Sequence, residues 1–214
     1  MRSAYSNIES QVGNDRTDHD EIAVDVSKIT RKPWIGKRIG YRLRQFARGI
    51  VAQVRADEMI VVSRWLPKQA VAHFCQMPVD AQRHSLNVLY MLQETGALVP
   101  ELAAAALLHD VGKIAAEQAG IHLSPWLRGP LVLLEKLAPS LPARFAVDDP
   151  AQGWRYALHV HLAHPIIGAK WAKEDGCSDL TCWLIEHHQD ALGPAPQATN
   201  EKLLLLLQWA DGRN

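Results

Sequence analysis

Between positions 84 and 211 the sequence contains histidines and aspartates whose types suit a transition-metal site. They are His84, His109, Asp110, His164, His187, His188 and Asp211. Imidazole nitrogens bind Zn, Fe, Mn and Co ions, and a carboxylate can bridge two such ions. This set includes no cysteine, which argues against a structural zinc site, where thiolates usually dominate. The set predicts a catalytic metal centre that leaves coordination positions for water or substrate.

His109 and Asp110 end an apolar run in the stretch "ALLHDVGKIAA", residues 105–115. A buried imidazole or carboxylate must be paired, hydrogen-bonded or bound to a metal. A carboxylate at the C-terminal end of a helix also opposes the helix dipole. A metal is therefore the expected partner, and Gly112 is expected to turn the chain so that Lys113 faces the same cavity.

Each of these residues also has a simpler interpretation. A lone histidine such as His84 is more often a core or surface residue than a ligand. His187 and His188 could be a surface pair, and Asp211 could be a solvated residue near the chain end. Lys113 could equally be solvated. The combination of the residues, more than any single one, indicates a metal.

The elements that would position these residues read as helices, so the fold class is predicted to be all-α. The patterns predict helices over 57–65, 80–95 and 100–109, one from Ser124, one ending on Gly176, one capped by Ser178 and one beginning at Asn200. The stretch 139–153 is expected to be a loop. The predicted architecture is a helical bundle with an N-terminal helical extension.

The chain of 214 residues is predicted to have three parts, namely a disordered tail over 1–27, a basic helical extension over 28–77 and a domain over 78–214. Lys plus Arg and Asp plus Glu both number 23, so net charge indicates no partner. The segment 38–55 alternates arginines with an apolar stripe at helical spacing. This pattern suits either packing on the core or weak contact with an anionic membrane surface or RNA.

Localisation is predicted to be cytoplasmic. The three cysteines form no CxxC pair, and an odd number in a chain of this length is typical of reduced thiols. The N-terminus lacks the apolar core of a secretory signal, and no apolar run approaches the ~18 residues of a membrane span.

The motifs "HSLNV", "LLHDVGK", "HPIIG", "EHHQD" and "WAD" resemble the HD-domain superfamily of metal-dependent phosphohydrolases, from about residue 78 to the C-terminus. The "HP..G" and "HH" elements are similar to those of members with two or more metals, including the HD-GYP phosphodiesterases. After "HHQD" the chain has "ALGPAPQATN" in place of the GYP loop. Cyclic di-GMP hydrolysis is therefore not supported.

The resemblance implies a role for each matching residue. His84, His109, Asp110 and Asp211 would be the core ligands, with Asp110 bridging two metals. His164 and His187 would complete the second metal, and His188 would either join them or lie just behind. Lys113 would contact a substrate phosphate, so the implied catalytic residues are Asp110 and Lys113.

The implied function is hydrolysis of a phosphomonoester or phosphodiester by a metal-activated water. The substrate would be a small, nucleotide-like phosphorylated molecule, and the cofactor two divalent transition-metal ions, with Fe, Mn, Zn or Co as candidates. Two alternatives remain open from the sequence. One is a di-iron oxygenase of the HD fold, and the other is a non-catalytic HD signalling module.

Overall fold

The computed structural model describes residues 53–121, 140–193 and 198–213, and all regular structure in these ranges is helical. The helices are α1 (Ala56–Trp65), α2 (Lys68–Gln76), α3 (Val79–Glu94), α4 (Pro100–Leu108), α5 (Ile114–Gln118), α6 (Ser140–Phe145), α7 (Trp154–Glu174), α8 (Asp179–His187) and α9 (Thr199–Asp211). Short 3₁₀ turns cover Val111–Lys113 and Pro150–Gln152. The predicted all-α fold class is confirmed for the described residues.

Helix α4 forms the centre of the described core. Every residue from Leu102 to Leu108 is buried, and the helix packs against α1, α2, α3, α8 and α9. A helix that is apolar on all sides is stable only when other helices surround it. Pro100 lies in its first turn, where the missing N–H costs nothing. The C-terminal end of α4 therefore places His109, which is 1% exposed, inside the protein.

Helices α1 and α2 contribute to the same core. Val62 and Phe74 are completely buried in one apolar cluster with residues of α3, α4, α8 and α9. On α1, Glu58 is 3% exposed and accepts hydrogen bonds of 2.6 and 2.7 Å from the guanidinium of Arg83 on α3. This ion pair joins α1 to the residue that precedes His84.

Most predicted helix limits agree with the structure to within a residue or two. At the start of α8, the Ser178 hydroxyl accepts a hydrogen bond of 3.2 Å from the Thr181 backbone N–H, as expected of an N-cap. Gly176 follows α7 with a φ of 88°. Helix α9 begins at Thr199, one residue before the predicted start.

The structure differs from the sequence-based prediction in three places. Helix α2 was not predicted, because its nine residues lie between Pro67 and Pro78 and give too short a periodic pattern. Helix α5 was likewise not predicted. The stretch 139–153 is not a continuous loop, since it contains α6 and a 3₁₀ turn.

Some predictions lie outside the described residues. These are the tail over 1–27, nearly all of the basic segment 38–55, and the helix from Ser124. Among the helices in the described ranges, none has the length and apolar character needed to cross a bilayer.

Candidate metal centre

The turn after α4 lies directly against α7. A Cβ atom added at Gly112 would overlap the His164 carbonyl oxygen and come within 2.8 Å of the Gly168 backbone nitrogen. Gly112 does not have a positive φ. The expected turn is present as the 3₁₀ turn Val111–Lys113, but close packing against α7, and not an unusual backbone conformation, is what requires a glycine there. This contact brings Asp110 next to His164.

One cluster of candidate ligands, the His84 group, consists of His84, His109 and Asp211. It draws on the N-terminal half of α3, the end of α4 and the end of α9. Asp211 Oδ1 lies 2.9 Å from His84 Nε2 and 3.6 Å from His109 Nε2. Three residues separated by up to 127 positions in sequence thus present donor atoms within 4.8 Å of one another.

A second cluster, the His164 group, consists of Asp110, His164 and His188. His164 lies in the middle of α7, and His188 directly follows α8. Asp110 Oδ1 lies 3.4 Å from His164 Nε2 and 3.8 Å from His188 Nε2. The two histidine Nε2 atoms are 3.3 Å apart. The side chains of both histidines are almost completely buried.

Asp110 links the two groups through its two carboxylate oxygens. While Oδ1 faces the His164 group, Oδ2 lies 3.7 Å from His109 Nε2 in the His84 group. The residue has φ −102° and ψ 0°, at the junction between α4 and the 3₁₀ turn. This backbone conformation is sparsely populated and common at active sites. The arrangement is that of a carboxylate suited to bridge two cations.

Three histidines of the centre have fixed tautomers. In His109, His164 and His188, Nδ1 lies 3.0, 2.7 and 2.7 Å from a backbone carbonyl oxygen three residues earlier. A carbonyl oxygen only accepts, so each Nδ1 donates its proton, and in the neutral ring each Nε2 presents a lone pair. Metal-binding histidines are oriented in this way, with the second ring nitrogen donating to a carbonyl or carboxylate.

The donor atoms fit divalent metal ions. His109 Nε2 is buried and has no hydrogen-bond partner. The lone pairs of His164 and His188 face each other at 3.3 Å, which is unfavourable without a cation between them. Ligand atoms ~2.1 Å from one ion are ~3.0 Å apart in octahedral and ~3.4 Å apart in tetrahedral geometry. The separations of 2.9 and 3.6 Å from Asp211 in the His84 group, and of 3.3, 3.4 and 3.8 Å in the His164 group, lie near these values.

Burial and charge set the protonation states of the His164 group. Burial, followed by the nearby His109 ring, lowers the pKa of His188 to about 4. Burial also lowers the pKa of His164. Although burial disfavours ionised Asp110, the charges of Lys113 and His109 hold its pKa well below the ordinary value. Neutral imidazoles and an ionised carboxylate are the forms that bind metal.

Two carboxylates lie beside His109 of the His84 group, those of Asp110 and Asp211. Burial disfavours ionised Asp211, but the His109 ring 3.6 Å away and the hydrogen bond with His84 hold its pKa well below the ordinary value. Burial likewise disfavours charged His109, yet Asp110 and then Asp211 outweigh this effect and raise its pKa. The carboxylates thus favour a positive charge at the position of His109, and a metal ion would supply that charge in place of a proton.

The structure does not bring His187 into either group. Its Nδ1 lies 2.6 Å from Asp190 Oδ2, and its ring packs against Trp183 at a centroid distance of 4.6 Å. Its side chain is 32% exposed. His188, which the sequence left undecided, occupies the position by His164 instead. Lys113 lies at the centre, with Nζ 2.7 Å from Asp110 Oδ1 and 43% of its side chain exposed.

One residue at the centre was missed by the sequence analysis. The side-chain amide of Gln189 lies with Nε2 3.3 Å from His164 Nε2, although the residue is exposed overall. Glutamine is a poor metal ligand, so its type gave no signal. Its position directly after the histidine pair was the only available indication.

Comparison with known proteins agrees with this geometry. No curated protein and no solved structure gave a significant match. A family model described as "HD domain" matches residues 82–212, which is more than half of the chain and includes both candidate ligand groups. The chain therefore belongs to the HD domain family, most of whose members are metal-dependent phosphohydrolases.

Proposed function

We propose that this protein hydrolyses a phosphomonoester or phosphodiester in a small, nucleotide-like molecule, using two divalent transition-metal ions. One ion would be held by the His84 group and the other by the His164 group. Family membership supports metal-dependent hydrolysis in general. The reaction, the number of ions and the ligand roles are our proposal.

The observation that favours two ions is that the two carboxylate oxygens of Asp110 face different groups. Its Oδ2 faces His109 at 3.7 Å, and its Oδ1 faces His164 at 3.4 Å. A mononuclear site would need only one of these oxygens and would leave the lone pairs of His164 and His188 unused. Divalent ions in such a pair lower the pKa of water and neutralise charge on a phosphoryl group.

The residues of the chain have distinct tasks in this scheme. The carbonyl-bound histidines keep their Nε2 atoms aimed at the centre, so little reorganisation is required during the reaction. Asp110 and Asp211 provide the negative charge that retains the ions. Lys113 has a half-exposed ammonium group beside Asp110, where it can hold a substrate phosphate as a compact positive charge.

Metal analysis combined with a substrate screen tests the proposal. Purified protein reconstituted with Mn, Co, Zn or Fe should contain about two ions per chain and hydrolyse some phosphorylated nucleotides in the screen. Asp110→Ala should lose this activity, whereas Asp148→Asn, at a carboxylate that is 76% exposed, should retain it.

Two results would overturn the proposal. One is full hydrolytic activity in the Asp110→Ala protein. The other is a mixed-valence di-iron centre that consumes oxygen and hydrolyses no phosphorylated compound, which would identify an oxygenase of the same fold.

A further inference from the structure

Two hydrogen-bond donors approach the His164 group from its exposed side. Lys113 Nζ lies 2.7 Å from Asp110 Oδ1, and Gln189 Nε2 lies 3.3 Å from His164 Nε2. Both donors come from partly or fully exposed residues, whereas His164 and His188 are buried. Lys113 and Gln189 are thus exposed residues whose donor atoms contact this buried group.

The orientation of the Gln189 amide follows from the tautomer of His164. Because His164 Nδ1 donates to the His161 carbonyl oxygen, Nε2 accepts and the atom facing it must be a donor. The NH₂ end of Gln189 therefore faces the centre. The acceptor used by Gln189 is the single lone pair of His164 Nε2, which a metal ion in the His164 group would take. The acceptor used by Lys113 is Asp110 Oδ1, which would bind the same ion.

Building on the proposed function, we propose that Gln189 and Lys113 form a two-donor clamp for the phosphoryl oxygens of the substrate. A metal ion held by the His164 group would remove the acceptor of Gln189, since an N–H cannot share the one lone pair of His164 Nε2 with a metal ion. Asp110 Oδ1 keeps a second lone pair, but the ion would neutralise its carboxylate and so weaken its contact with Lys113. The Gln189 amide would then be free beside the ion, and the Lys113 ammonium could turn from Asp110 towards a bound phosphate. Phosphoryl oxygens replace the lost acceptors, and Gln189 is a substrate-positioning residue.

Inorganic phosphate, titrated calorimetrically into the metal-loaded protein, is a suitable probe. Gln189→Met keeps the side-chain length but removes the donor, and it should bind phosphate about tenfold more weakly, since a hydrogen bond to a charged group is lost. Gln189→Lys restores an N–H donor and should bind at least as tightly as the wild type. Metal stoichiometry should stay unchanged in both variants.

Gln93→Met is the matched control. Gln93 is an exposed glutamine nine residues beyond His84 on α3, about 13 Å further along the helix axis. The phosphate affinity of the Gln93→Met protein should equal that of the wild type. In the metal-free protein the wild type and Gln189→Met should not differ, because Gln189 is then occupied with His164. For any substrate found, Gln189→Met should raise KM more than it lowers kcat.

The outcomes separate this proposal from the proposed function. If the wild type hydrolyses phosphate esters but Gln189→Met binds phosphate like Gln93→Met, the clamp is overturned and the hydrolase stands. Equal losses in Gln189→Met and Gln189→Lys would also overturn the clamp, because the donor would not be the cause. A wild type that takes up no metal would overturn both.

Discussion

The Nε2 atoms of His164 and His188 lie 3.3 Å apart in the buried part of the protein, and both present lone pairs. This pair is unfavourable unless a cation lies between the two rings. Metal removal by a chelator should therefore lower the melting temperature. An ion present at a hundred times its Kd stabilises by about 2.7 kcal/mol, which corresponds to about 5–10 °C for a chain of this size.

Differential scanning fluorimetry with and without chelator would measure this shift. A His164→Ala/His188→Ala double variant is the control, because the chelator should affect it less. An unchanged wild-type melting temperature after complete metal removal would show that the pair needs no cation.

The two adjacent histidines should differ in their effect on metal content. His188→Ala removes a donor of the His164 group and should reduce the content from about two ions per chain towards one, as expected when a dinuclear site loses a ligand. His187→Ala should keep both ions, since that ring contacts Asp190 and Trp183. Elemental analysis after gel filtration distinguishes these results. The reverse pattern would assign the ligand role to His187.

His187 and His188 also show which features of the site the sequence could predict and which it could not. The buried run of α4 and the motifs around His84, His109 and Asp211 were enough to predict an all-α fold and a His/Asp metal centre. The choice between His187 and His188 was not predictable, because adjacent residues are ~100° apart on a helix and α8 ends between them. The spacing of residues in the sequence could not predict that the two Asp110 oxygens face different groups, nor that Gln189 contacts His164. Both contacts depend on how the elements pack around α7.

The buried carboxylate of Glu58 should make stability depend on pH in the acid range. Hydrogen bonds from Arg83 outweigh burial and lower its pKa from 4.5 to about 2. The folded state therefore binds this proton less readily than the unfolded state. The resulting stabilisation is complete above pH 4.5 and is lost as the pH falls to about 2. A shift of this size corresponds to about 3 kcal/mol.

Urea denaturation of the wild type and Glu58→Gln would test this link between α1 and α3. The variant should be less stable by about 3 kcal/mol at pH 7, and the difference should fall to about half at pH 3. If the difference were the same at both pH values, an ionised Glu58 would not be its source.

Gly112→Ala should destabilise the protein strongly. The new methyl group would overlap backbone atoms of α7, which cannot move independently, so a loss of about 3 kcal/mol is expected. Gly193→Ala is the control, because a Cβ there meets no heavy atom within 4 Å. Thermal denaturation of both variants decides the matter. A Gly112→Ala protein as stable as the wild type would contradict the close approach of the turn to α7.

Anomalous diffraction from crystals of the manganese- or zinc-loaded protein tests the central claim most directly. A dinuclear centre should give two anomalous peaks ~3.5–4 Å apart. We expect one peak among the His84 group and one among the His164 group, with the Asp110 carboxylate between them. A single peak, two peaks that do not share Asp110, or no peak at these residues would contradict the account.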